Sequence, residues 1–167
     1  MTRKMHAVRQ GPIKPTGAYF SLPGSSTYFD PSNPGANCYD LGGVRILDVR
    51  EDRAAALTLF LSALALCGQG MPHDPTAKAQ LLDELVAMQA GEEPFLGYML
   101  ADQTPMAQAA RDLGYGGLLI WENDDWSRPS SVFAWELNAV RELRPSEREE
   151  LVREFGDDVD DVQSPRP

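Results

Sequence analysis

Residues 104–137 read TPMAQAARDLGYGGLLIWENDDWSRPSSVFAWEL, and the rest of the chain can be placed relative to them. Apolar residues recur at the helical period before Gly114, so this pattern predicts a helix that ends there. The run 118–121 is too short for a helix and lies between glycines and polar residues, which predicts a buried strand. After a loop that contains Pro129, residues 132–135 predict a second strand, paired antiparallel to the first.

An acidic residue, Glu122, directly follows the first of these strands. A carboxylate at the end of a buried strand is the feature that a functional interpretation has to explain. The structural alternative is a solvated strand end or a cap. Asp124, Asp125 and Glu136 are rival acidic candidates in the same region.

Length and charge limit the kinds of protein that this chain can be. It has 167 residues, 43% of them hydrophobic, so we expect one domain at 1–155 and an acidic, disordered tail at 156–167. The 25 acidic residues exceed the 15 basic ones and give a formal charge of −10, which repels nucleic-acid phosphates. The charge therefore predicts no nucleic-acid partner. It suits a basic protein partner, or solubility alone.

Export, membrane insertion and metal binding have no support in the sequence. The longest apolar stretch, 54–67, is shorter than the roughly 20 residues that a membrane span requires. Cys38 and Cys67 are too few for a disulfide framework or a zinc site, and His6 and His73 are the only histidines. We expect a cytoplasmic protein with reduced structural thiols, no metal and no membrane association.

The remaining patterns predict an α+β fold. Residues 4–9, 17–21 and 44–49 predict strands, and 25–40 predict a functional loop because the stretch is rich in turn residues and also carries aromatics. Residues 51–66 and 77–90 predict two consecutive helices, the first buried on most sides, and 145–155 predict a charged helix. We therefore expect a split, curved sheet assembled from both ends of the chain, with a helical block inserted.

Motif searching removes several enzyme classes. The sequence has no Gly-x-x-x-x-Gly-Lys-Ser/Thr, Gly-x-Gly-x-x-Gly, His-Glu-x-x-His or Gly-x-Ser-x-Gly. These absences argue against a P-loop ATPase, a Rossmann dinucleotide enzyme, a zinc protease and an α/β-hydrolase.

Three segments together carry a family resemblance: Met-His-Ala-Val-Arg-Gln-Gly at 5–11, Gly-Ala-Tyr-Phe-Ser at 17–21 and Leu-Gly-Tyr-Gly-Gly-Leu-Leu-Ile-Trp-Glu at 113–122. In this order the chain resembles the NAD-dependent mono-ADP-ribosyltransferase fold. It looks most like small phage and mobile-element members, including anti-CRISPR ADP-ribosyltransferases. The resemblance covers most of residues 4–143 by order of elements, and the third segment is its most specific part.

The resemblance implies a protein-modifying enzyme with NAD as co-substrate. Breaking the bond between nicotinamide and ribose develops positive charge on the ribose, which a fixed carboxylate stabilises. Glu122 would supply that carboxylate, and Arg9 or His6 would hold the phosphates or ribose of the dinucleotide. For Arg9 the structural alternative is a salt bridge at a sheet edge. The sequence lacks a clear Glu-x-Glu pair, which leaves the acceptor residue type open.

Aromatic and hydroxyl groups complete the implied site. Tyr19, Phe20 or Tyr28 would stack on nicotinamide, and Ser21 would support the site by hydrogen bonding. For Tyr19 and Phe20 core packing is the favoured alternative.

A non-catalytic acidic binding protein, such as an immunity protein or inhibitor, is the second hypothesis. It would place its carboxylates and Trp121, Trp126 and Trp135 on a basic surface, although Trp121 and Trp135 are expected in the core. An enzyme needs a cleft that holds Glu122, Arg9 and an aromatic together, whereas an inhibitor needs a convex acidic face.

Overall fold

Seven short strands form one curled, half-barrel sheet. A computed structural model describes residues 4–23, 29–93, 98–121 and 129–155. The strands in these ranges are β1 (His6–Lys14), β2 (Gly17–Ser21), β3 (Cys38–Asp40), β4 (Ile46–Leu47), β5 (Gly117–Ile120), β6 (Ser131–Ala134) and β7 (Arg141–Glu142). Their order across the sheet is β4-β5-β6-β2-β1-β3-β7. The sheet is mixed, because β4 runs parallel to β5 while the other neighbours are antiparallel.

The helices of the described ranges form a block between β4 and β5 and a separate piece at the end. They are α1 (Arg53–Gly68), α2 (Pro75–Gln89), α3 (Tyr98–Ala101), α4 (Thr104–Asp112) and α5 (Pro145–Phe155), with a 3-10 turn at Leu137–Ala139. Side chains cap the two long helices: Asp52 accepts from the N–H of Ala55, and Asp74 from that of Thr76. The α+β prediction is confirmed, as is a curved sheet built from both ends of the chain around a helical block.

The two faces of the sheet form separate parts of the core. Since side chains alternate along a strand, Tyr19, Leu118 and Phe133 face α1 and α4, whereas Phe20 and Val132 face the opposite side. That opposite face is covered by partly buried residues that lie outside the strands: Trp121, Leu137, Ala139 and Val140. The predicted pairing of 118–121 with 132–135 is confirmed, with Leu118 opposite Phe133.

Several element boundaries differ from the prediction. β1 continues past Gly11 and Pro12, where it was expected to end, because its register with β2 shifts between Gln10 and Lys14 and Gly11 takes a φ of 70°. β3 lies within the predicted functional loop and β7 was not predicted, since strands of two or three residues have no readable alternation. The predicted tail at 156–167 lies outside the described residues.

Three further expectations can be compared with the structure. Cys38 and Cys67 are buried free thiols, and burial raises the pKa of both. None of the helices in the described ranges combines the length and the apolar character that a membrane span requires. α1 is less buried than predicted, because Leu61 on its outer side is exposed.

Arg141 joins α5 to the sheet. Its guanidinium donates to both carboxylate oxygens of Glu147, at 2.7 and 2.9 Å, and to Asp40 Oδ2 at 3.3 Å. Hydrogen bonds from Arg141, and then from the Arg144 N–H, lower the pKa of Glu147 from 4.5 to about 2. Burial alone would raise the pKa of Asp40, but the N–H groups of Gly42 and Met5 and the Arg141 guanidinium outweigh it and lower that pKa.

We expect Glu147→Gln to lower the melting temperature at pH 7, and its difference from wild type to shrink in acid. The pKa of Glu147 is lower in the folded than in the unfolded chain, so its stabilising effect is complete above about pH 4.5 and is lost as the pH falls toward 2. Melting curves followed by circular dichroism from pH 7 to pH 2 measure this. Glu149→Gln, on an exposed position of the same helix, is the control. A difference that stays constant across this pH range would contradict the prediction.

Candidate functional site

The carboxyl ends of β4 and β5 bring a polar cluster to one edge of the sheet. These strands are parallel, with Leu47 beside Leu118, so the residues that follow them lie close together. Trp121 donates its indole N–H to Asp48 Oδ1 at 3.2 Å, and the same oxygen accepts from the Arg50 N–H at 2.9 Å. The Arg50 guanidinium carbon lies 4.1 Å from the centre of the Trp121 ring. The indole ring is therefore held on its edge and on one face.

A cavity of about 710 Å³ opens at this edge, and we call it the edge cavity. Its volume falls within the range of roughly 300–1,000 Å³ that small-molecule sites occupy. Lys4 and His6 line it on one side and Asp48, Glu51 and Trp121 on another. It thus combines cationic, anionic and aromatic side chains.

The edge cavity lies where three of the described ranges of the chain begin or end. Pro23, Trp121 and Pro129 line the cavity, and they stand at the ends of described ranges. Glu122 and Tyr28 lie in the intervening segments, outside the described residues. Their predicted roles as catalyst and stacking residue stay predictions.

Arg9 lies on the other face of β1 from His6. It lines a separate cavity of about 130 Å³ together with Phe20 and Val140. Its guanidinium donates to the Tyr39 hydroxyl at 3.4 Å and lies 6.0 Å from the centre of that ring. The structure therefore does not bring Arg9 and His6 into one cavity.

Tyr19 and Ser21 point toward the helices. Tyr19 is buried and meets Phe133 edge-on, with ring centres 4.5 Å apart, so it packs in the core as the structural alternative proposed. Phe20 is also in the core, on the opposite face. Ser21 is fully buried, and its hydroxyl has no hydrogen-bond partner among the described residues.

Ser131 repeats the situation of Ser21 on the neighbouring strand. The two serines pair across β2 and β6, and Ser131 pairs in turn with Ile120 at the end of β5. The Ser131 hydroxyl is buried and also lacks a partner among the described residues. Buried polar groups are rarely left unsatisfied, so two adjacent orphan hydroxyls at one end of the sheet require an explanation.

The structure thus groups the predicted residues differently from the sequence. By strand alternation His6, Tyr19 and Ser21 share one face of the sheet and Arg9 the other. Asp48 and Glu51 were missed as site residues. The visible signal was Asp48, an acidic residue within the predicted strand 44–49. Their proximity depends on the parallel pairing of β4 with β5, which a local pattern does not reveal.

Metal-binding chemistry has no visible site in the part of the chain that the structure describes, since no three His, Cys, Asp or Glu side chains cluster suitably there.

Comparison with known proteins leaves the site to be interpreted from its own geometry. No protein-family model, no curated protein and no solved structure matches this chain.

Proposed function

We propose that the protein is an NAD-dependent mono-ADP-ribosyltransferase that modifies a protein target, with an ADP-ribosyltransferase-like version of the curled sheet. The observation that carries the proposal is the edge cavity, because it lies at the end of β5, directly before Glu122 in the chain. The three resembling segments support the same assignment, and two of them, 5–11 and 113–122, contribute His6 and Trp121 to this cavity.

The side chains of the edge cavity fit the chemical groups of NAD. Lys4 and His6 would contact the phosphates, and the Trp121 ring, held by Asp48 and Arg50, would offer a fixed surface to an aromatic ring. NAD supplies an ADP-ribosyl group whose ribose becomes positively charged as nicotinamide leaves. Carboxylates at the cavity suit that charge, and Glu122 would act as the electrostatic catalyst.

The hydroxyls of Ser21 and Ser131 lie outside the edge cavity, because neither serine lines it. Both lie in the last paired row of β2 and β6, level with Ile120, and strand alternation turns them to the face opposite Leu22 and Leu119, which do line the cavity. The supporting role that the sequence predicts for Ser21 stays a prediction.

We expect His6→Ala to weaken NAD binding about two- to tenfold, the effect of losing one hydrogen bond. Arg9→Ala is the matched variant, since Arg9 lies on the opposite face of the same strand and donates to the Tyr39 hydroxyl. The sequence alone predicts weaker binding for Arg9→Ala, and the present proposal favours His6 because His6 lines the edge cavity and Arg9 lines another. Titration calorimetry with NAD measures both variants. Weaker binding by Arg9→Ala with no change for His6→Ala would place NAD on the Tyr39 side and exclude the edge cavity.

The function itself is tested by incubating the protein with NAD labelled in its adenylate part and a lysate of the likely host. We expect label on a protein, together with free nicotinamide, and label that protease removes but nuclease does not. A target with a basic surface would react faster at low salt, because the chain carries a charge of −10. The proposal would be overturned if the wild-type protein neither bound NAD nor turned it over.

The second candidate function is the non-catalytic acidic binding protein. The exposed apolar side chains on α1 and α2 favour it, together with the charge of −10. Trp135 is buried and Trp121 is partly buried against the core, as expected, while Trp126 lies outside the described residues. An absence of NAD turnover combined with tight binding to a basic protein would select this function.

A further inference from the structure

The outer side of α1 is unusual for an exposed helical surface because it carries no charge. No charged residue occurs between 54 and 68, a composition typical of a helix that is buried all round. Yet Ala54, Thr58, Leu61 and Ala65 are exposed, and Leu61 retains 50% of its accessible surface. The sequence of α1 therefore suits an environment that is more apolar than water on this side.

α2 also exposes apolar side chains. Its exposed side includes Leu82, at 43% exposure, and Val86, at 65%. The two helices are antiparallel, because the Arg53 guanidinium at the start of α1 donates to the carbonyls of Met88 and Glu92 at the end of α2, at 3.4 and 2.9 Å.

The alignment of α1 and α2 is fixed at the other end by a small cavity that Cys67 and Ala77 both line. Arg53 lies beside Met88 at one end of the helix pair, and Cys67 beside Ala77 at the other. At a rise of 1.5 Å per residue, Leu61 then lies at the same height along the helix axes as Leu82, and Leu57 at the same height as Val86. We call these four residues the hairpin stripe.

Negative charge predominates in the segment that carries the hairpin stripe, residues 51–93. The exposed acidic residues of 51–93 are Glu51, Asp52, Asp74, Asp83, Glu92 and Glu93, while Glu84 is buried, and the lysines and arginines are Arg53 and Lys78 alone. Arg53 is engaged by the carbonyls at the end of α2 and lies 3.8 Å from Glu93. An occupant of the stripe would therefore meet an apolar centre and an acidic border.

We propose that the hairpin stripe docks a basic amphipathic helix of a partner protein. Apolar side chains spaced by three and four residues would cover Leu61, Leu82 and Val86, and flanking Lys or Arg would face the acidic border. A second copy of this chain is disfavoured as the occupant, because each copy carries a charge of −10. The docking role is independent of ADP-ribose transfer, since the stripe and the edge cavity share no residues.

The test uses the full chain and three synthetic helical peptides: one with Leu on one face and Lys on the other, its acidic counterpart with Glu in place of Lys, and a scrambled basic peptide. We expect fluorescence anisotropy to show that the amphipathic basic peptide binds most tightly, and more weakly as salt rises. Leu61→Gln and Val86→Gln should each reduce its affinity about tenfold, since each removes a buried apolar contact. Equal binding of the basic and acidic peptides, or no binding, would overturn the proposal.

Ile13→Gln is the matched control, because Ile13 is an equally exposed apolar residue on β1, away from both helices. It should leave peptide affinity unchanged, and all three variants should melt within a few degrees of wild type because the replaced side chains are exposed. An equal loss of affinity in Ile13→Gln would show non-specific adsorption and overturn the proposal. So would sedimentation that reveals a dimer which Leu61→Gln dissolves, because a second copy would then be the occupant.

Discussion

Glu122→Gln should slow ADP-ribose transfer about a hundred- to thousand-fold if the proposed function is right. Gln keeps the size and hydrogen bonding of Glu but removes the charge that stabilises the ribose as nicotinamide leaves. The loss of one preorganised electrostatic group costs the chemical step about 2.7–4 kcal/mol in well-studied enzymes. Folding should hardly change, because the substitution preserves shape.

The measurement compares label transferred to protein, and nicotinamide released, by wild type and variant at saturating NAD. Glu136→Gln is the matched control, because Glu136 also follows a strand of the sheet but is exposed and lines a different cavity from His6 and Trp121. It should retain wild-type rates. Equal labelling by Glu122→Gln and wild type would remove Glu122 from the mechanism, and a loss confined to Glu136→Gln would move the reaction to the other cavity.

Local patterns were sufficient to predict the elements with strong periodicity. The strand at 17–21 was predicted with its observed bounds, since aromatic and small residues lie there between turn residues. α1 and α2 were also predicted close to their observed bounds, because their apolar residues recur at the helical period. β3 and β7 could not be predicted, because they depend on each other across about a hundred residues, with Asp40 and Arg141 joined by a hydrogen bond.

The candidate site could be predicted only in part, because strand register decides which side chains meet. Arg9 lies opposite Phe20 rather than Tyr19, so Arg9 and Tyr19 face opposite sides of the sheet. A shift of one residue would have placed them together, and a single sequence does not specify this choice. Likewise Asp48 reaches Trp121 only because β4 pairs in parallel with β5. The sequence predicted which residue types form a polar site, but it did not predict which of these side chains lie together.

Gly17→Ala is expected to destabilise the fold by upwards of about 4 kcal/mol, beyond the usual cost of overpacking. A Cβ on Gly17 would lie 2.1 Å from the Ala134 carbonyl oxygen and 2.9 Å from a ring carbon of Phe133. The first of these atoms belongs to the backbone of β6, which pairs with β2, and the second to the core. The Ala134 carbonyl cannot move away without separating the two strands. Since β2 is the central strand of the sheet, the loss would extend to both faces.

Gly11→Ala separates this steric effect from a backbone effect. Gly11 lies on the same hairpin with a φ of 70°, which an L-residue adopts at a cost of about 1–2 kcal/mol, but a Cβ there would meet nothing within 4 Å. Urea unfolding of both variants measures the two costs. The midpoint should fall much further for Gly17→Ala than for Gly11→Ala, because the overlap in the sheet exceeds the cost of a left-handed backbone. Equal midpoints would contradict the close approach of β2 and β6 at Gly17, and with it the strand pairing that sets Ser21 beside Ser131.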